Sequence, residues 1–85
     1  MAFLNAFHGR TYGAMSLSGS KPTQRRGFAP LVPEIHHASF GDLGSVRSLL
    51  RTVCPPDVLA AIFVEPIIGE GGYLVPSPEF LPGLR

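Results

Sequence analysis

The sequence predicts an α/β fold, a mostly parallel sheet layered with helices, and three features carry that prediction. Short apolar runs alternate with helical stretches in the order strand, helix, strand, helix, strand, helix. Leu59-Ala60-Ala61-Ile62-Phe63-Val64 is apolar without alternation. That is the pattern of a central parallel strand buried on both faces. Val46, Leu49, Leu50 and Val53 fall at i, i+3, i+4 and i+7, so they form one apolar stripe with Arg47, Ser48 and Arg51 off it.

Taken in order, Ala2 to Phe7 reads as a short strand with Asn5 its one polar residue, and His8 to Thr11 as the turn that follows. The Thr11 hydroxyl can accept from the free amides of a first helical turn, so it is the expected cap of a helix running through Tyr12, Ala14, Met15 and Leu17. Gly19 is its expected stop. Ser18 to Pro33, rich in Gly, Ser, Pro and Arg, reads as an ordered excursion in which Phe28, Leu31 and Val32 need burying. His36 to Phe40 is the second strand. Asp42 or Ser45 caps the striped helix, and Pro55-Pro56 ends it, because proline cannot donate and its ring clashes with the preceding turn. Glu65 to Gly72 is then a loop at the carboxyl end of the third strand. Pro76 to Pro78 leads to a last helix with Pro82 in its first turn.

With 85 residues the chain holds one domain at most. A chain of this length buries only about 60–65% of the surface it would expose unfolded. Yet 45% of its residues are hydrophobic and 15% charged, a balance that suits a slab of a larger core. One cysteine, Cys54, allows no internal disulfide and reads as a small buried hydrophobe in a reducing compartment. A net charge of +1 implies no polyanion partner, so no nucleic acid. No apolar run approaches the roughly 18–20 residues that cross a membrane. The start carries no basic leader before a long apolar region, so no signal peptide is expected and the localisation expected is cytoplasmic.

Two loops carry chemistry, and both follow strands, where ligands bind in open α/β sheets. Glu65-Pro66-Ile67-Ile68-Gly69-Glu70-Gly71-Gly72 puts two carboxylates beside three glycines. Glycine lets backbone approach a ligand closely, and a carboxylate at the mouth of a buried strand needs a cation or a donor. By spacing alone, a glycine-rich turn with solvated glutamates is an equal reading. Phe7-His8-Gly9-Arg10-Thr11 gathers an aromatic face that can stack on a planar ring and a guanidinium fork that matches a carboxylate. By itself an ordinary strand-to-helix turn is the better reading of this motif. Lys21, Arg25 and Arg26 form a basic cluster, the basis of the rival reading as a small non-enzymatic binding protein. Adjacent His36 and His37 on a strand would point to opposite faces, so they and Cys54 make no shared metal site.

These motifs together resemble the class III aminotransferases. The matching stretches are Phe-His-Gly-Arg-Thr, Ser-Leu-Ser-Gly-Ser-Lys, Gly-Phe-Ala-Pro-Leu-Val-Pro, Ala-Ala-Ile-Phe-Val-Glu-Pro-Ile-Ile-Gly-Glu-Gly-Gly-Tyr-Leu-Val-Pro and Glu-Phe-Leu-Pro-Gly-Leu-Arg, in that order. They look most like the 4-aminobutyrate, acetylornithine and ornithine aminotransferases, and the likeness covers nearly the whole chain.

The resemblance implies a piece, residues 1–85 with no second domain, of the three-layer αβα large domain of the fold type I enzymes that use pyridoxal 5′-phosphate (PLP). The whole enzyme would be a homodimer that moves an amino group from an ω-amino acid to a 2-oxo acid. By the same likeness Phe7 matches the aromatic that stacks on the cofactor, with His8 and Gly9 completing that turn. Glu65 matches a glutamate beside the cofactor. Arg10 matches the arginine for the substrate's distal carboxylate, and Glu70 the glutamate that gates the second substrate. The likeness puts the phosphate-binding turn before Met1. The pyridine-pairing aspartate, the Schiff-base lysine and the gating arginine would follow Arg85. Lys21, the only lysine, lacks that lysine's context and reads as a surface residue, so no catalytic residue is assigned within the chain. Ile68 stands where many members have glutamine, and Ala38 to Arg51 looks shorter than usual.

Overall fold

The chain is built around its first three residues. In the computed structural model, which describes all of Met1 to Arg85, strand β1 (Ala2–Phe3) pairs in parallel with β2 (His37–Ala38), Ala2 opposite His37 and Phe3 opposite Ala38. Flanking bonds from Ala2 N–H to His36 O and from Leu4 N–H to Ala38 O, each 2.9 Å, extend the ladder. On the other edge, the Met1 amine donates to Ala61 O at 2.9 Å and Phe63 N–H donates to Met1 O at 2.9 Å. One residue bonded to two that are two apart is the parallel pattern. The segment Leu59 to Val64 therefore lies alongside β1, and parallel pairing of an α/β order is borne out.

Its burial is not as the sequence suggests. Leu59, Ile62 and Val64 pack against the core, while Ala60, Ala61 and Phe63 are exposed. It is an extended segment bonded on one edge, not a central strand covered on both faces. The first strand is also shorter than expected, because Asn5 takes a left-handed φ of 68°. Asparagine tolerates that region better than branched residues do, and the turn takes the chain out of the sheet before Phe7. The second strand shrinks likewise from His36–Phe40 to two residues.

Helix α1 (Tyr12–Leu17) starts at Thr11, but the Thr11 hydroxyl makes no capping bond. The helix leaves at Ser18 in an extended conformation, so Gly19 is no left-handed stop. Gly19 is needed for a different reason: a Cβ there would lie 3.2 Å from Phe3 O. The excursion beyond is ordered, with a 3-10 turn at Pro22–Gln24. Phe28 and Val32 nevertheless remain exposed, contrary to the expectation that they need burying.

Helix α2 (Leu43–Thr52) follows the sequence closely. Of the two candidate caps, Asp42 is the one: its side chain accepts from Gly44 N–H at 2.8 Å and Ser45 N–H at 3.1 Å. Ser45 instead accepts from Ser39 N–H at 2.9 Å, which fixes the β2-to-α2 turn. Val46 is buried and Leu49 and Leu50 pack on the core, but Val53 sits past the last turn and is exposed. Cys54 is buried, as a small apolar side chain would be. The last helix, α3 (Phe80–Gly83), seats Phe80 at the centre of the molecule. Gly83 lies against Leu43, since a Cβ there would come 2.4 Å from Leu43 Cδ1.

The core is a three-ring cluster. Phe3, Phe40 and Phe80 meet edge to face with centroids 5.2–6.1 Å apart. Such pairs contribute about 0.5–1.5 kcal/mol each beyond simple burial. Ala6, Ala38, Val46 and Ile68 close round the rings. A shallow hollow of about 360 Å³ is lined by Ile62, Val64, Pro66, Leu81, Leu84 and Arg85.

Candidate active-site face

The turn after β1 and the loop after Leu59–Val64 are brought together, and the contacts are specific. Phe7 N–H donates to Glu65 Oε2 at 2.8 Å. A part-buried amide that has left the ladder needs an acceptor, and the carboxylate supplies one. His8 N–H donates to Ser18 Oγ at 2.8 Å, and that hydroxyl donates to Ala14 O at 3.1 Å in α1. Gly9 has a φ of 125°, a region that side chains avoid, so glycine is required there. A Cβ at Gly9 would also stand 3.1 Å from Ala14 Cβ.

The side chains of the turn divide by environment. The Phe7 ring is half-buried and carries the exposed Arg10 guanidinium 5.8 Å from its centroid, a cation–π arrangement. The His8 ring lies edge-on to Phe63 with centroids 6.3 Å apart, and its Nε2 is buried with no partner. A buried ring nitrogen without a partner is a group that a ligand or a further segment would satisfy.

The second loop is clamped at both ends. Glu65 holds Phe7, and Gly71 presses on Asn5 so closely that a Cβ would lie 2.2 Å from Asn5 O. Between them Ile68, fully buried, bridges back to Leu74. Glu70 is exposed and pairs with Lys21 at 3.8 Å. The expected surface position of Lys21 holds, but its engagement with Glu70 was not visible in the sequence.

Of the site candidates, then, Phe7, His8, Gly9, Arg10 and Glu65 form one continuous group, and Glu70 stands at the outer end of the clamped loop with Lys21 as its counter-ion. Ser18 and Asn5, which hold this group in shape, escaped the sequence reading. Neither carries a local signal for a bond or close approach to a distant loop. His36, just before β2, and His37, within it, have separate partners. His36 Nε2 is 3.5 Å from Glu34, and His37 Nε2 donates to Leu17 O at 2.8 Å. Burial, first, and then the charges of Arg25, the N-terminus and His8 push the His37 imidazole below its ordinary value of 6.5, against the Leu17 bond, which raises it.

This donor set fits the flat aromatic part of PLP: a half-buried ring to stack on, a buried imidazole nitrogen without a partner, and a carboxylate beside them. Lys21 is exposed and pairs with Glu70 at the outer end of the clamped loop, and makes no hydrogen bond or ion pair with Phe7, His8 or Glu65. No helix is long and apolar enough to cross a membrane.

The family model for class III aminotransferases matches residues 1–85. Putrescine aminotransferase of Pectobacterium atrosepticum is 44% identical over 86 residues, covering 100% of this chain and 18% of that protein. Succinylornithine transaminase of Salmonella newport is 46% identical over 85 residues, covering 100% of this chain and 19% of that protein. The chain thus spans about a fifth of the length of these relatives. Among solved structures, the ornithine aminotransferase of Toxoplasma gondii superposes with a TM-score of 0.82 at 34% identity, over 96% of this chain and 18% of that one; PLP partly occupies its active site. The fold is therefore that of a portion of the fold type I, PLP-dependent transaminases, and the chain belongs to the class III aminotransferase family.

Proposed function

We propose that this chain forms one wall of the cofactor and substrate site in the PLP-binding large domain of a transaminase, acting on ω-amino donors and a 2-oxo acid acceptor. The observation that carries the reading is the joining of the two motif loops by the Phe7–Glu65 bond at 2.8 Å. It brings the Glu65 carboxylate to the turn that carries the Phe7 ring, with the Arg10 guanidinium 5.8 Å from that ring's centroid. The relatives' names support the donor class, since putrescine, ornithine and succinylornithine all carry a terminal amine. A homodimeric whole enzyme is part of the same proposal.

PLP, when bound, supplies the electron sink that makes a bond at the substrate's amine-bearing carbon labile. The residues of this chain bind and orient. Phe7 offers its ring for stacking, Gly9 lets the turn fold tightly behind it, and the His8 nitrogen waits for a partner within the wall. Arg10 presents a planar fork to a distal carboxylate. Glu70, exposed and paired with Lys21, is the counter-charge that must yield when a second carboxylate enters the site. Covalent attachment of the cofactor needs a lysine in the site, and Lys21 is not in it. The 85 residues by themselves are thus expected to be inactive.

Amino transfer by the full-length enzyme from 4-aminobutyrate and from putrescine to 2-oxoglutarate tests the reading. Turnover with at least one donor, dependent on added PLP, supports it. PLP-independent activity, or none with any terminal amine, refutes it.

A further inference from the structure

Glu65 has its partner inside the protein. The extended segment before it is fixed by the two bonds to Met1. The loop after it is fixed by the close approach of Gly71 to Asn5. Between these two anchors the Glu65 side chain reaches the Phe7 amide, 58 residues away in sequence, at 2.8 Å. No backbone carbonyl accepts from that amide. An N–H bonded to an ionised carboxylate is shorter and stronger than one bonded to a neutral group. The next amide, that of His8, is held by Ser18. Two side chains from different parts of the chain therefore set the backbone from which the Phe7 ring projects.

We propose that Glu65 is a positioning residue: acting through the Phe7 N–H, its carboxylate fixes the plane of the Phe7 ring and so the face offered to a planar aromatic ligand. The ligand half of this inference rests on the PLP reading above; the Glu65–Phe7 half does not. The competing role is a direct one, in which the negative charge of Glu65 acts on the ligand. The two roles separate under substitution, because Glu65→Gln keeps an acceptor oxygen and loses the charge, whereas Glu65→Leu loses both.

The experiment uses the protein labelled with 15N-phenylalanine, whose six phenylalanines give six amide peaks, the Phe7 peak being identified with Phe7→Tyr. The Phe7 amide proton is expected to move upfield as acid protonates Glu65, and to lose that response in Glu65→Gln. His8 and Arg10 lie on the same turn, and both remain in Glu65→Gln, which makes it the control for their charges. PLP affinity of the full-length enzyme, read by absorbance titration, is expected to stay within roughly 3-fold in Glu65→Gln and to fall about 10-fold in Glu65→Leu, the scale of one charged-group hydrogen bond. A Phe7 amide indifferent to acid overturns the proposal. So does an equal loss of affinity in both variants, which would assign the charge a direct role, and so does no loss in either. Should Glu65→Leu fail to fold, the amide response and the Glu65→Gln affinity decide. Should the unsubstituted full-length enzyme not bind PLP, the cofactor reading fails, and the amide response still decides whether Glu65 positions Phe7.

Discussion

Gly71 sits against Asn5 with no room for a side chain: a Cβ on Gly71 would lie 2.2 Å from Asn5 O and 2.7 Å from Ile68 Cγ2. The contact joins the loop that carries Glu65 and Glu70 to the turn that carries Phe7 to Arg10. Because the obstacle is backbone, it cannot simply rotate away. Gly71→Ala is expected to destabilise the protein by about 1–3 kcal/mol, the scale of overpacking. Gly69→Ala, at a site where nothing lies within 4 Å of the new Cβ, is expected to cost less. Urea unfolding of both variants checks this, and equal costs would contradict the close approach.

Helix α2 depends on its cap. Asp42→Ala removes the acceptor for Gly44 and Ser45 N–H and is expected to cost about 1 kcal/mol. Asp42→Asn, which keeps an acceptor oxygen, should recover most of it. Thermal unfolding of the pair decides; equal loss in both would assign the effect to charge alone.

His37 gives stability a pH dependence of known sign. Burial holds its folded value below the ordinary 6.5. Above that value the imidazole is neutral in both states, and its contribution to stability is complete. As the pH falls below it, the unfolded chain takes up the proton first, so stability declines until the folded value is also passed. Urea midpoints taken from about pH 7.5 down to about pH 5.5 should fall, and His37→Gln should flatten that slope. An unchanged slope in the variant would contradict the assignment.

Much of this was legible in the sequence, and the division has a physical basis. The α2 stripe, the Asp42 cap and the Pro55-Pro56 stop are local patterns, set by spacing and by backbone chemistry within a few residues. The apolar run at Leu59–Val64 reads as a strand; the segment does lie alongside β1, but only two bonds join it there and no strand forms. Its burial could not be read, because burial depends on what lies across the sheet. The motif residues Phe7, Arg10, Glu65 and Glu70 stood out by type. The contacts that organise them, Phe7 to Glu65, Asn5 to Gly71 and Lys21 to Glu70, join distant parts of the chain and leave no periodic trace. The left-handed turn at Asn5, which cut the first strand short, left a trace in the one polar residue of the run, but nothing beside it that made it a stop.

Arg10 bears on specificity in the full-length enzyme. Arg10→Lys keeps the charge and loses the fork. The expected result is a loss of roughly 10-fold in kcat/KM for 4-aminobutyrate, about the worth of one hydrogen bond to a charged group. Putrescine, which lacks a carboxylate, should be little affected. Steady-state kinetics with both donors tests this, and equal loss for the two would remove Arg10 from carboxylate recognition.

The central claim, that the turn after β1 carries the cofactor's ring, is tested most directly by PLP affinity in Phe7→Leu. Leucine keeps apolar area and removes the aromatic face. Absorbance titration of the full-length enzyme should show binding weakened roughly 2- to 12-fold, the equivalent of about 0.5–1.5 kcal/mol of ring–ring contact. Affinity unchanged from that of the unsubstituted protein would contradict the account.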